Sequence, residues 1–155
     1  MFNIIVDTRE QTPWTFSSAS VGEIKHQKLD TGDYSIEGLE DVLCIERKKS
    51  VAEIAGNVTD KRFTRELERM AKFRFKFLIL EFDYYSIDIF PQGSGIPKPQ
   101  QAKIKISGSY IMKVLSEIQT KYDIHVVTCM NDKYAEHVAI NIMKRVSEII
   151  ENERK

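Results

Sequence analysis

Two short acidic motifs lie close together in the first third of the chain. The first is Gly32-Asp33, and the second is Glu46-Arg47-Lys48 at the end of a hydrophobic segment. Mg²⁺ and Mn²⁺ prefer oxygen ligands, so Asp33 and Glu46 could supply two carboxylates while phosphate and water complete the coordination. Such a metal polarises a phosphoryl group and generates hydroxide near neutral pH, and Lys48 could orient the water or neutralise developing negative charge. These residues indicate metal-assisted hydrolysis of a phosphodiester.

The same residues also have simpler explanations. A Gly-Asp pair in isolation is most often a turn, and Glu46 and Lys48 could be solvated charges on an edge strand. The apolar residues Cys44 and Ile45 directly before them instead indicate a buried strand. In such a strand, Glu46 and Lys48 share one face and Arg47 points to the other, which favours a site over a solvated edge.

The elements that must position these residues alternate between strands and helices. Hydrophobic patterning predicts strands at Phe2 to Val6, Glu23 to Lys28, Tyr34 to Ile36, Val42 to Arg47, Phe75 to Phe82 and His125 to Cys129. The third and fourth strands form a hairpin. Helices are predicted after the capping residues Ser50, Thr59 or Asp60, Ser107, and Asn131 or Asp132. This order predicts an α/β fold with a central mixed sheet flanked by helices.

The last helix has a broad apolar face. Val138, Ile142, Val146 and Ile149 form its main stripe, and Ala135, Ala139, Met143 and Ile150 widen it. A face of this width must be buried against the sheet or against a second subunit.

Composition places limits on the class of protein. The chain has 155 residues, of which 42% are hydrophobic and 30% charged, so one domain with a real core is expected. The net charge is zero, so DNA binding would require basic residues gathered on one face. Cys44 and Cys129 lack metal-ligand spacing and are predicted to be reduced core thiols of an intracellular protein. No apolar segment is long enough to span a membrane.

Three blocks of sequence resemble the signature of the XPF nuclease family, a branch of the PD-(D/E)XK restriction-endonuclease-like superfamily. The blocks are Val6-Asp7-Thr8-Arg9-Glu10, Thr31-Gly32-Asp33-Tyr34 and Ile45-Glu46-Arg47-Lys48-Lys49. The resemblance extends to residues 62–70 and 106–110. It implies an α/β restriction-endonuclease-like fold and Mg²⁺- or Mn²⁺-dependent cleavage of branched, flap or fork DNA.

The resemblance also implies roles for individual residues. Asp33, Glu46 and Lys48 would be the metal-binding and catalytic residues, and Asp7, Glu10 and Arg47 would support them within the catalytic site. Arg9 would also support the site and contact DNA. The family pattern places an acid four residues after the lysine, where this chain has Ala52, followed by Glu53. Glu53 is either a replacement for that acid or the partner of Ser50 in a capping box. The helix-hairpin-helix module that often follows such a domain is not found, so a single nuclease domain is expected over residues 1–155.

Contacts with the DNA backbone are predicted at two basic surfaces. Arg62, Arg65 and Arg69 recur along one side of the second helix, although they could equally be solvated and paired with glutamates. Lys98, Lys103 and Lys105 belong to a Pro- and Gly-rich loop near residues 90–105 that is expected to be exposed and mobile.

Several functional alternatives remain at this stage. The chain could be a DNA-binding or scaffolding module that needs a nuclease partner, although a degenerate site would be expected to lose at least one of Asp33, Glu46 and Lys48. It could also be a sequence-specific restriction enzyme of the same fold. Expected partners are DNA, a second copy bound through the C-terminal helices, and a DNA-gripping, replication or recombination protein, with no membrane. A prokaryotic or phage-infected cytoplasm is the expected location.

Overall fold

A mixed six-stranded sheet forms the centre of this computed structural model, which describes residues 1–155. The strands are β1 (Phe2–Val6), β2 (Val21–His26), β3 (Tyr34–Ile36), β4 (Leu43–Lys48), β5 (Phe75–Leu80) and β6 (His125–Thr128). Their order across the sheet is β2-β1-β3-β4-β5-β6. β3 runs antiparallel to both of its neighbours, and the remaining pairs are parallel. The predicted mixed sheet and the β3–β4 hairpin are therefore confirmed.

Six helices complete the fold: α1 (Val51–Asn57), α2 (Lys61–Met70), α3 (Tyr84–Asp88), α4 (Lys98–Gln101), α5 (Gly108–Lys121) and α6 (Asp132–Glu153). The side chains of Ser50, Asp60, Ser107 and Asn131 each accept a backbone N–H from the first turn of the following helix. These four caps confirm the predicted helix starts. The short helices α3 and α4 were not predicted. No helix is both long enough and apolar enough to cross a membrane.

The boundaries of β2 differ from the prediction of Glu23 to Lys28. β2 begins earlier because Val21 pairs with Phe2, the first residue of β1, and pairing within β2 ends where His26 meets Val6. The parallel register with β1, rather than the hydrophobicity of β2 itself, determines where this half-exposed strand lies.

The alternating side chains of β4 divide the core into two halves. Leu43 and Ile45 pack with Val6 and α6 on one face of the sheet. Cys44 packs on the other face in the cluster formed by α1, α2 and α5. Because both faces of β4 are covered, its last three residues, all charged, are buried despite their polarity. Both cysteines are free and buried, as predicted.

The face of α6 that packs on the sheet differs from the predicted main stripe. Its buried residues are Ala135, Ala139, Met143, Val146 and Ile150. Val138 and Ile142 are only partly buried at its flank. The prediction gave too much weight to residue size, because the alanines let the helix approach the sheet closely while larger side chains lie to the sides.

The polar sequence motifs meet at one edge of the sheet. β1, β4, β5 and β6 are parallel, so their carboxyl ends lie at the same edge, and antiparallel β3 begins there. Asp7 follows β1, Asp33 precedes β3, and Glu46 to Lys48 end β4. In open α/β sheets this edge is the usual position of a ligand site.

Candidate active site

A polar cleft of about 240 Å³ opens at this edge of the sheet. It is lined by Asp7, Arg9, Glu10, Asp30, Thr31, Gly32, Asp33, Glu46, Glu66 and Arg69. None of these residues is hydrophobic, so the cleft suits a charged, hydrated ligand rather than an apolar one. The structure thus brings together Asp33 and Glu46, which the sequence predicts as metal ligands, with Asp7, Arg9 and Glu10.

Glu46 and Lys48 point to the same face of β4, as predicted. Glu46 is 7% exposed and Lys48 is 6% exposed. Lys48 Nζ lies 3.6 Å from Glu46 Oε1 and 5.2 Å from the centre of the Phe63 ring on α2. The ammonium group is therefore held beside the carboxylate by the strand beneath it and the helix above it.

Asp33 is positioned by backbone hydrogen bonds on both sides. Its N–H donates to the carbonyl of Ile45 at 2.8 Å, and its carbonyl accepts from the N–H of Asp7 at 2.9 Å. Its Oδ2 accepts from the N–H of Arg47 at 2.8 Å. Asp33 thus connects the ends of β1 and β4 and directs its carboxylate into the cleft.

Gly32 makes this geometry possible. Its φ is +88°, a conformation that L-residues rarely adopt, and a Cβ atom there would lie 2.6 Å from Cys44 Sγ and 3.2 Å from the carbonyl of Ile45. The close approach to β4 is what brings the following Asp33 beside Glu46.

We expect Gly32→Ala to lower the free energy of unfolding by about 2–4 kcal/mol, because a positive φ and overpacking each cost about 1–3 kcal/mol. Urea denaturation measures this change. Gly56→Ala is the matched control, because Gly56 lies in α1 with open space around its Cα, and it should stabilise the protein by about 0.5–1 kcal/mol. Equal midpoints for the two variants would contradict this account of Gly32.

The two central carboxylates have raised pKa values. Burial raises the pKa of Asp33 to about 7, and the nearby charge of Glu10 adds to this effect. The hydrogen bond from the N–H of Arg47 and the charge of Lys48 act in the opposite direction and lower the pKa. The pKa of Glu46 is raised well above its usual value by burial, by the charge of Asp33 and by the contact with Glu66. The chain alone does not compensate for the two negative charges, which favours a cation at this position.

The residues at this position fit a divalent cation. Glu46 lines the cleft together with Asp33 and Glu66, and its ion pair with Lys48 Nζ is 3.6 Å long. The side chains are not gathered as three ligands around a single point. Asp33 and Glu46 would therefore provide two oxygen ligands and leave positions for water and phosphate, which is the usual arrangement for Mg²⁺.

Arg47 lies on the opposite face of the sheet from Glu46, as the strand alternation predicts. Its guanidinium donates to Tyr34 Oη at 2.8 Å and to Glu10 Oε2 at 3.1 Å, and its Nε lies 2.6 Å from Glu81 Oε2. The side chain packs 5.0 Å from the Trp14 ring. Arg47 is therefore a positioning residue, and it connects to the cleft through Glu10.

Asp7 and Arg9 form a second support. Asp7 is 2% exposed and accepts from the N–H of Leu29 at 2.8 Å and from Arg9 Nε at 2.7 Å. Burial alone would raise the pKa of Asp7, but these hydrogen bonds outweigh it and the pKa is lowered. The ionised Asp7 carboxylate therefore holds the exposed Arg9 side chain at the mouth of the cleft.

Glu53 has the contacts expected of a helix cap. Its backbone N–H donates to Ser50 Oγ at 3.2 Å, and its carboxylate accepts from the N–H of Lys49 at 2.9 Å. Ser50 and Glu53 form a variant of the capping box, in which the Glu53 carboxylate accepts from the N–H of Lys49 instead of the N–H of Ser50. Its Oε1 also lies 3.9 Å from Lys48 Nζ, so Glu53 borders the site without lining the main cleft.

Of the predicted DNA-binding residues, Arg9 and Arg69 line the cleft and the others lie outside it. Arg62 is exposed and pairs with Asp60 at 3.0 Å, and Arg65 is exposed and makes no ion pair. Arg69 does line the cleft, where its Nε donates to Thr31 Oγ1 at 3.2 Å. The lysines of residues 90–105 are all exposed without ion pairs: Lys98 in α4, Lys103 and Lys105 after it.

Two acidic residues of the site were missed by the sequence reasoning. Glu66 was treated as a surface partner for arginines, although it is three residues after Phe63 and four before Met70, at the border of the buried stripe of α2. Glu81 follows β5 directly and holds both Arg47 and Trp14 Nε1, the latter at 2.7 Å. The sequence did carry a signal for Glu81, because this residue lies near the end of a predicted strand and the other site residues also lie at strand ends.

The part of the chain that carries the cleft matches a known protein family. The family model described as ERCC4 domain matches residues 6–140, which include every residue of the cleft. The chain belongs to the ERCC4 domain family. A search of curated proteins finds no match. The ERCC4 assignment confirms the resemblance to XPF-type nucleases and makes the chain a nuclease-type domain.

Solved structures confirm the fold of this ERCC4 domain. XPF from Aeropyrum pernix matches with a TM-score of 0.69 and 20% identity, covering 98% of this chain and 68% of that chain. The structure of XPF from Aeropyrum pernix in complex with DNA matches with a TM-score of 0.66 and 21% identity, covering 96% of this chain and 66% of that chain. The ERCC4 domain thus has the restriction-endonuclease-like fold and spans about two thirds of these structures.

Proposed function

We propose that this ERCC4 domain is a Mg²⁺- or Mn²⁺-dependent DNA endonuclease that hydrolyses phosphodiester bonds in branched, flap or fork DNA. The observation that supports the proposal most is the meeting of Asp33 and Glu46 at one polar cleft, with the Lys48 ammonium beside Glu46. Two strands deliver the acids, and the lysine lies 3.6 Å from one of them. These are the groups that metal-assisted hydrolysis requires.

In the proposed reaction, Asp33 and Glu46 would hold the cation, which would supply Lewis-acid polarisation of the scissile phosphate and activation of a water molecule. Lys48 orients the attacking water or offsets the negative charge that develops on the phosphoryl oxygens. Asp7, Glu10 and Arg47 keep the strand ends in position around the two acids.

The charge distribution supports DNA as the substrate. Arg9 and Arg69 lie at the cleft, where their exposed guanidinium groups can bind the phosphates that flank the scissile bond. Arg62, Arg65, Lys98, Lys103 and Lys105 would extend this contact along the backbone of a duplex arm without reading bases. The DNA complex of XPF from Aeropyrum pernix supports this class of substrate.

The proposal includes partners and context. A homodimer would form through the C-terminal helices, where Val138 and Ile142 remain partly exposed beside the buried stripe of α6. A further DNA-gripping, replication or recombination protein would supply additional duplex contacts. The setting would be repair, recombination or phage DNA metabolism in a prokaryotic or phage-infected cytoplasm.

One observation favours a second candidate, a DNA-binding or scaffolding domain without catalysis. Ala52 occupies the position where the family pattern has an acid, and a site with one acid fewer binds a metal less tightly. Such a domain would bind branched DNA and require a nuclease partner for cutting.

A panel of end-labelled substrates distinguishes the two candidates. Flap, fork, four-way junction, duplex and single-stranded DNA of one sequence are incubated with the full chain in Mg²⁺, Mn²⁺ or EDTA. The nuclease proposal predicts cuts near the branch point in either metal, at least about tenfold faster than in the duplex, and none in EDTA. Binding of branched DNA without cutting in either metal would contradict it and support the scaffold. Cuts at one sequence in every duplex would instead indicate a restriction enzyme.

A further inference from the structure

The position of Ala52 leaves the proposed metal site short of one acid. Ala52 is the second residue of α1, half-buried against the core, and its methyl group cannot bind a cation. The next residue, Glu53, accepts a hydrogen bond from the N–H of Lys49 and caps the helix. The start of α1 therefore offers no uncommitted carboxylate to the cleft.

Helix α2 brings a carboxylate to the cleft from the facing wall. Asp60 caps α2, and its Phe63, Leu67 and Met70 fix one stripe against the core. Glu66 lies at the border of that stripe and lines the cleft together with Asp33 and Glu46. Its carboxyl group lies beside that of Glu46 in this cleft. A cation between two neighbouring carboxylates offsets their mutual repulsion.

The state of Glu46 independently indicates a ligand. Glu46 is 93% buried in terms of accessible surface, since only 7% remains exposed, and its carboxylate faces the cleft. Its one ion pair, with Lys48 Nζ, is 3.6 Å long, which exceeds the length of a hydrogen bond. A buried carboxylate without a closely bound cation is costly, and a cation shared with its neighbours would satisfy it.

We infer that Glu66 supplies the third carboxylate of the metal site and takes the place of the acid that the family pattern has at position 52. The inference rests on the proposed function. Glu66 has three rotatable side-chain bonds, so its carboxylate can turn from Glu46 to the cation without movement of α2. The ligand set would then be Asp33 and Glu46 from the sheet and Glu66 from the helix.

Mn²⁺ binding to the full chain, measured by electron paramagnetic resonance without DNA, tests the inference apart from catalysis. Glu66→Gln should weaken Mn²⁺ binding at least about 10-fold, because loss of even an outer-shell partner usually costs about 10- to 100-fold in metal affinity. Glu68→Gln is the matched control, because Glu68 is exposed on the same helix, and it should bind as the wild type does.

A second variant tests the exchange between the two positions. Adding Ala52→Asp to the Glu66→Gln protein should recover most of the lost Mn²⁺ affinity, since an acid is also well tolerated in the first turn of α1. No recovery would overturn the equivalence of positions 52 and 66. Wild-type affinity in Glu66→Gln would overturn the inference while leaving the proposed function intact. A wild-type chain that binds no Mn²⁺ would overturn both.

Discussion

Lys48→Met should lower the rate of DNA cleavage by about 10²–10³-fold while Mn²⁺ binding stays at the wild-type level. The loss is the usual effect of removing one group that stabilises developing charge in the transition state. Methionine keeps an unbranched side chain beside the Phe63 ring, so packing between β4 and α2 is retained. Single-turnover cleavage of a labelled fork measures the rate, and electron paramagnetic resonance measures Mn²⁺ affinity.

Lys113→Ala provides the control for this prediction, since Lys113 is exposed on α5 and makes no ion pair. It should cleave at the wild-type rate. If Lys48→Met cleaved as fast as Lys113→Ala, Lys48 would have only a structural role. If it lost Mn²⁺ binding as well, the ammonium would be acting on the metal site rather than on the reaction.

Glu46→Gln should greatly lower the rate of DNA cleavage and at the same time stabilise the metal-free protein at pH 8. The rate should fall by about 10³-fold, because a Lewis-acid metal contributes several kcal/mol to the transition state. The free energy of unfolding should rise by roughly 1 kcal/mol, which for a chain of this length corresponds to a Tm increase of about 2–4 °C. Thermal unfolding in EDTA measures the change.

The sign of the stability effect follows from the raised pKa values of Glu46 and Asp33. Below the pKa of the unfolded state both carboxyls are neutral and cost nothing. As pH rises toward the folded-state pKa, about 7 for Asp33, the unfolded state releases protons first, and stability is lost. The metal-free wild type should therefore lose stability between pH 5 and 8 more steeply than Glu46→Gln.

Two further results check this account of Glu46. Excess Mn²⁺ should raise the Tm of the wild type at pH 8 but not that of Glu46→Gln, because only the former binds the ion. Glu68→Gln, on the exposed face of α2, should match the wild type in rate and stability. A Glu46→Gln protein less stable than the wild type in EDTA would show that this carboxylate stabilises the fold.

Local patterns predicted most of the fold. The alternation in β4 predicted that Glu46 and Lys48 share a face, because the strand is continuous and buried on both sides. Helix starts were predictable because Ser50, Asp60, Ser107 and Asn131 form their cap hydrogen bonds within three residues. Short-range geometry of this kind depends little on the rest of the molecule.

Long-range contacts account for what the sequence did not reveal. Glu81 reaches Arg47 and Trp14 only after β5 has paired with β4, and Glu66 reaches Glu46 only after α2 has packed over the sheet. The close packing of α6 depends on Ala135 and Ala139 meeting the sheet, which residue size alone does not predict. The support of Arg47 by Glu10 and Tyr34 likewise joins segments distant in sequence.

The rate of Mn²⁺-dependent cleavage of a labelled DNA fork by the wild type and by Asp33→Asn tests the central claim most directly. We predict branch-proximal cuts by the wild type that EDTA abolishes, and a rate at least about 10²-fold lower for Asp33→Asn. Cleavage by Asp33→Asn at the wild-type rate would contradict the account, because the activity would then come from outside this cleft.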